Sequence, residues 1–178
     1  MLIQDFTYVD APIAAVRSRL LAGADEWVTA IAVRARDDGE RLHRRIGPAG
    51  GVAAVPGGTT RVSVGPALER GDAVVVVPLT WQSEGQSSGF PVLWADLEVM
   101  PIGEHETQLS LMGRYEPPVG ELGRRLDRRV VHRVVQASVR SFLLGVAAAL
   151  EAGPGQAVAP DDVRPGYSQL SRLRLRAM

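Results

Sequence analysis

VLWADLEVMPIGEHETQLSLMGRYEPP, residues 92–118, decides the fold. Residues 92–100 put Leu93, Ala95, Leu97 and Val99 on one side, with Asp96 and Glu98 on the other. Residues 106–115 repeat the pattern, with Thr107, Leu109, Leu111 and Tyr115 inward and Gln108, Ser110 and Arg114 outward. Alternation with a period of two marks strands that bury one face. The link between them, IGEHE, is short and carries a glycine, so the two strands form an antiparallel hairpin. Pro117 and Pro118 then stop the second strand.

Downstream, one long helix is expected over residues 119–152. Val130, Val134, Ala137 and Ser141 lie along one face, and Arg125, Arg129, His132, Arg133 and Arg140 lie roughly opposite. The stretch FLLGVAAAL, residues 142–150, is apolar all round and must be buried on several sides or packed on a partner. Residues 153–178 contain GPG, AP and RPG before a final SRLRLRAM, and read as a flexible or loosely docked basic tail. The expected division is therefore a folded domain over 1–152 and a tail over 153–178.

Upstream, residues 72–81 (DAVVVVPLTW) are almost continuously apolar, as in a strand covered on both faces. Pro78 limits that reading, because it lacks the N–H a ladder needs and belongs at a bulge or an edge. Residues 59–66 alternate, with Thr60, Val62 and Val64 on one face and Arg61 toward solvent. ERGD and QSSGFP are further short loops. Residues 39–47 (GERLHRRIG) read as a strand of mixed polarity, and PAGGVAAVPGG after them as a turn-rich loop. At the start, residues 2–9 form a strand rich in β-branched and aromatic types. A helix follows, with Asp10 as N-cap, Pro12 in its first turn, Ile13, Val16 and Leu20 on one face and Gly23 past its end. A second short helix is expected over 25–37, with Trp27, Ala30, Ile31 and Ala35 on its apolar face.

The chain of 178 residues, 46% hydrophobic, suits one domain with a real core. No run of eighteen apolar residues predicts a membrane span. MLIQDFTYVD has no basic stretch followed by an apolar one, so no signal peptide is expected and the cytoplasm is the default location. The absence of cysteine removes disulfides, thiolate catalysis and cysteine metal sites. All 20 basic residues are Arg, which excludes a lysine Schiff base, and they balance 20 acids, which argues against a nucleic-acid partner. The charge is uneven, however. Residues 1–118 carry 10 Arg against 15 acids, whereas 119–152 carry 6 against 3 and 153–178 carry 4 against 2.

Two stretches resemble a known group. YVDAPIAAVRSRL is similar to the start of START-like domains, where a first strand steps through Ala-Pro into a helix, and Trp27 falls where those domains often carry a tryptophan. FPVLWADLEVMPIGEHETQLSLMGRYEPPVGELGRRLDRRVVHRVVQASVRSFL resembles the C-terminal half of actinobacterial members of the polyketide cyclase and lipid-transport group, the SRPBCC proteins. The resemblance covers residues 1–152. It implies an α+β helix-grip fold: a curved antiparallel sheet wrapped around a long C-terminal helix, with two short helices after the first strand. It further implies an apolar space between sheet and helix, which in that group takes sterols, lipids, polyketides or aromatics. The group holds carriers, cyclases and domains without a ligand, so the fold alone does not decide the function.

The residues themselves offer little catalytic chemistry. His43, His105 and His132 lie on different elements without ligand spacing, so no metal or other cofactor is expected. There is no Gly-x-Ser-x-Gly, and Gly50-Gly51 and Gly57-Gly58 lack the lysine of a phosphate loop. Asp96 and Glu98 point away from the inner face, against a carboxylate pair. Trp27, Trp81 and Trp94 fit either plain core packing or the wall of an apolar pocket.

The expected function is binding or transport of an apolar or amphipathic small molecule. Its lining would be Val77, Leu79, Trp81, Leu93, Leu97, Leu109, Leu111, Tyr115, Val130 and Val134. Two alternatives stand beside it. One is a cyclase- or aromatase-type enzyme using Tyr115, Thr107 and His132. The other is an interaction domain whose core is filled by its own side chains and which makes contact through the basic helix face and the tail.

Overall fold

A computed structural model describes residues 1–46, 60–71, 74–83, 91–116 and 128–152. The expected tail, the expected loops within 47–59 and 84–90, residues 72–73, and residues 117–127, which include the expected first turns of the long helix, lie outside the described residues. In chain order the elements are β1 (Leu2–Val9), α1 (Ile13–Leu21), α2 (Asp25–Ile46), β2 (Thr60–Val64), β3 (Leu68–Arg70), β4 (Val74–Ser83), β5 (Val92–Pro101), β6 (Thr107–Glu116) and α3 (Arg128–Glu151).

The strands form one six-stranded sheet in the order β1-β6-β5-β4-β2, with β3 also pairing β4. Every pairing is antiparallel. The β5–β6 hairpin is the one the alternation predicts, in the register Leu93↔Tyr115, Leu97↔Leu111 and Val99↔Leu109. Pro78 sits inside β4, opposite Asp96 of β5. On its other side β2 hands over to β3, and the Pro78 carbonyl accepts the Gly65 N–H at 2.8 Å. A residue's N and O point to the same side of a strand, so the missing N–H faces the break between partners and leaves the ladder to β5 intact.

The helices differ from expectation in three respects. Asp10 does not cap α1. Pro12 holds the cap position at φ −66 and ψ 145 with no side-chain bond, and the Asp10 N–H is given to Glu151 Oε1 at 3.1 Å. The helix does end as expected, with Gly23 at φ 120. Second, α2 does not stop at 37. It runs 22 residues to Ile46 and takes in GERLHRRI, which the sequence reading assigned to a strand. Its buried strip is Val28, Ala32, Ala35 and Gly39, while Ala30 is exposed.

Third, the buried arc of α3 is wider than one stripe. It contains Val131, Val134, Val135, Ser138, Val139, Phe142, Leu143, Val146, Ala147 and Leu150. Helix α3 is packed on two sides, by β1 and β6 and by α2. Val130 lies outside that arc and is half-buried, which corrects its expected inward placement. Helices α2 and α3 run antiparallel, since Ile31 meets Gly145 while Gly39 meets Val134 and Ser138. A Cβ on Gly39 would overlap the Ser138 hydroxyl, and one on Gly145 would lie 2.7 Å from Ile31 Cγ2. The two glycines thus set the close approach of the helices. Ser141 Oγ donates to Asp38 Oδ2 at 2.7 Å along the same seam.

Candidate functional site

The register turns the inner face of the sheet into rows. Val62, Trp81, Leu93 and Tyr115 form one row across β2, β4, β5 and β6. Leu79, Ala95, Gly113 and Ile3 form the next. Val77, Leu97 and Leu111 follow, and then Val75, Val99 and Leu109. Of the residues expected to line a pocket, Val77, Leu79, Trp81, Leu93, Leu97, Leu109, Leu111, Tyr115 and Val134 are all 0–4% exposed and belong to one core cluster. Val130 does not join them.

The centre of that cluster is close-packed. Val77, Leu97, Leu109 and Leu111 are each 0% exposed, so no water-sized void touches them. Polar atoms enter at the Trp81–Leu93–Tyr115 row. The Tyr115 hydroxyl and His132 Nδ1 are 2.8 Å apart, with the rings stacked at 6.0 Å. Burial pushes the Tyr115 phenol above its ordinary value, so the hydroxyl stays protonated in its hydrogen bond with the imidazole. Trp81 packs edge-on against Phe142 at 6.0 Å. Its indole N–H is buried without a hydrogen-bond partner among the described residues, and an unmet N–H of this kind costs about 1–3 kcal/mol. This row lies where β4, β5 and β6 run into the segments 84–90 and 117–127.

Thr107 does not belong to this group. It sits at the opposite end of β6, where its hydroxyl donates to the Ala11 carbonyl at 2.8 Å and ties β6 to the start of α1. His105 is in the exposed turn between β5 and β6, and His43 lies on α2. Among the described residues, no group of His, Asp and Glu is arranged to hold a metal ion.

A second concavity lies on the other face of the sheet, which the sequence reading gave to solvent. It is a groove of about 770 Å³ whose walls include Leu2, Gln4, Thr80, Trp94, Met112 and Arg114. The Arg114 guanidinium lies 5.2 Å from the Trp94 ring centroid, a cation–π contact that forms one wall. The signal was in β1, where the outward positions Leu2, Phe6 and Tyr8 are apolar, as a solvated face should not be.

Taken together, a curved antiparallel sheet gripping a long helix, with two helices inserted after the first strand, is a helix-grip α+β fold. No protein-family model matches the chain, and no curated protein matches it. Solved structures do resemble it. A conserved protein from Geobacillus kaustophilus is 15% identical with a TM-score of 0.49, over 84% of this chain and 95% of that one. The ZhuI aromatase/cyclase from Streptomyces sp. R1128 is 14% identical with a TM-score of 0.45, over 85% and 93%. Ara h 8.0201 is 10% identical with a TM-score of 0.40, over 86% and 99%. These likenesses concern shape alone, and the fold assignment rests on the chain's own strand order and register. The stretch Arg129–Glu151 is long and apolar enough to cross a membrane, but here it is the helix packed between sheet and α2.

Proposed function

We propose that the chain binds an apolar or amphipathic small molecule at the Trp81–Leu93–Tyr115 end of the grip, under the first turns of α3. One observation carries this reading: Trp81 buries a polar N–H with no partner among the described residues, in the same row as the phenol of the Tyr115–His132 pair and in a largely apolar interior. Such a set suits a ligand whose body replaces apolar contacts while one polar atom meets the indole or the phenol. The ligand enters by displacing side chains at this row, because Trp81, Leu93 and Tyr115 are buried as fully as the centre of the core. Among the described residues, Tyr115 and His132 are the groups at this row that could move protons in a cyclase-type reaction, since Thr107 is committed elsewhere.

The test uses the full chain carrying Trp27→Phe and Trp94→Phe, which leaves Trp81 as the reporter. Titration with 1-anilinonaphthalene-8-sulfonate and with palmitate should quench or shift Trp81 emission saturably. Tyr115→Phe should change the affinity for at least one probe. No saturable response to either probe would sink the proposal. A second reading rests on the close-packed centre: an interaction domain with a filled core, acting through its surface. It predicts that negative outcome.

A further inference from the structure

The outer face of the sheet is too apolar to be left to water. Its rows run Leu2–Arg114–Trp94–Thr80, then Gln4–Met112–Asp96–Pro78, then Phe6–Ser110–Glu98–Val76. Leu2 is 83% exposed, Met112 48%, and Phe6 and Tyr8 47% each. Phe6 and Tyr8 pack edge to face at 5.6 Å and extend the apolar strip along β1 beyond the groove. Contiguous exposed apolar surface of this kind marks a contact site.

We propose that residues 167–178 of this same chain lie across that face. The chain leaves the last helix beside it. Glu151 Oε1 accepts the Asp10 N–H at 3.1 Å, and Arg19 reaches the Leu150 carbonyl at 3.4 Å, so Ala152 emerges next to the end of β1, where Tyr8 sits. Residues 153–178 span up to about 85 Å at ~3.3 Å per residue. The eight residues of β1 cover about 26 Å, so the reach is ample even after a Pro- and Gly-containing lead of 153–166.

The pattern of the segment fits as well. Arg172, Arg174 and Arg176 alternate with Leu173 and Leu175, so an extended chain presents one apolar edge and one basic edge. The leucine edge matches Leu2, Phe6 and Met112. The arginine edge meets a body that is acidic in balance over 1–118, with Asp96 and Glu116 both exposed and in phase with this face. Glu98 is already bound by Arg70 at 3.2 Å, and Arg114 is held over Trp94, so neither sets the register. The inference concerns the face opposite the proposed ligand site and does not depend on it.

The chain has no cysteine, so Ala177→Cys accepts a single nitroxide label. In the ¹⁵N-labelled full chain, the spin label should broaden amide signals from Leu2 to Tyr8 and around Met112 and Arg114. Adding Leu173→Ser and Leu175→Ser should remove most of that broadening while leaving the core signals unmoved. No broadening, or broadening over α1 and α2 instead, overturns the proposal. Broadening seen only when labelled ¹⁴N chains are mixed with unlabelled ¹⁵N chains overturns it too, and assigns the face to a second copy.

Discussion

The two faces of one sheet obey different rules. On the inner face the rows are filled mainly by branched aliphatic and aromatic side chains, and α3 and α2 close over them. On the outer face charged and apolar side chains alternate, and Leu2, Phe6, Tyr8 and Met112 stay about half exposed or more among the described residues. Strands β5 and β6 serve both faces with the same backbone, so the difference lies entirely in which side chains fall on odd and even positions. Burial decides how much each position matters. A methylene removed from the inner face leaves a hole, whereas one removed from the half-exposed outer face gives up only part of its contacts.

The sharpest way to break the comparison is at the interior. Phe142→Ala, which removes the ring packed on Trp81, should cost about 3–5 kcal/mol, and Leu109→Ala about 2–5 kcal/mol, by urea denaturation. Met112→Ala, at a half-exposed position of the outer face, should cost no more than about 1 kcal/mol even with the C-terminal segment docked over it. Equal losses from Met112→Ala and Leu109→Ala would mean that the outer face is buried in solution. Next in size is the helix seam. Gly145→Val should cost about 1–3 kcal/mol, because Ile31 already sits against that backbone.

Tyr115 gives a smaller effect with a distinctive pH signature. Its folded value is raised by burial, so its contribution is complete below the unfolded value near 10 and is lost as pH climbs from there through the folded value. Alkaline unfolding curves should show this decline in the parent, and Tyr115→Phe should remove it while costing about 1 kcal/mol at neutral pH through the lost bond to His132. A small change also belongs to Arg140→Ala. It gives up an exposed bond to the Phe6 carbonyl at 2.8 Å and a partly exposed contact to Asp5 at 3.5 Å, and should cost no more than about 1 kcal/mol, falling with added salt.

Much of the inner face was legible because β5 and β6 each keep one polar and one apolar side. Leu93, Leu97, Leu109, Leu111 and Tyr115 could be placed from spacing alone. Pro78 was legible as a constraint, though not as the hand-over between two partner strands, because that depends on where β2 ends. The extension of α2 was not legible. GERLHRRI has helix-forming residues but only Leu42 and Ile46 at apolar helical spacing, and its Gly39 packs against Val134 and Ser138 of α3, far along the chain. Val130 was misplaced for a related reason: a helix packed on two sides buries an arc, and a single-stripe reading puts the centre of that arc in the wrong place. The outer apolar strip is hard to read because β1 mixes polar and apolar residues on both sides, with Ile3, Asp5, Thr7 and Val9 inward and Leu2, Gln4, Phe6 and Tyr8 outward, so alternation does not say which side is wet. The polar pair at Tyr115 and His132 joins a strand to a helix, and no spacing rule reaches across that gap.

Arg140 does something further at the margin of the sheet. Its guanidinium donates to the Phe6 carbonyl at 2.8 Å, and the Phe6 N–H is turned onto Asp5 Oδ1 at 2.8 Å. Both groups point away from β6, toward the open side of β1. Midway along that border, the donor and the acceptor that an incoming strand from another molecule would need are already engaged. Any fibre growing by strand addition at β1 must first pull an arginine off its carbonyl, so this pairing acts as a stopper against runaway sheet extension.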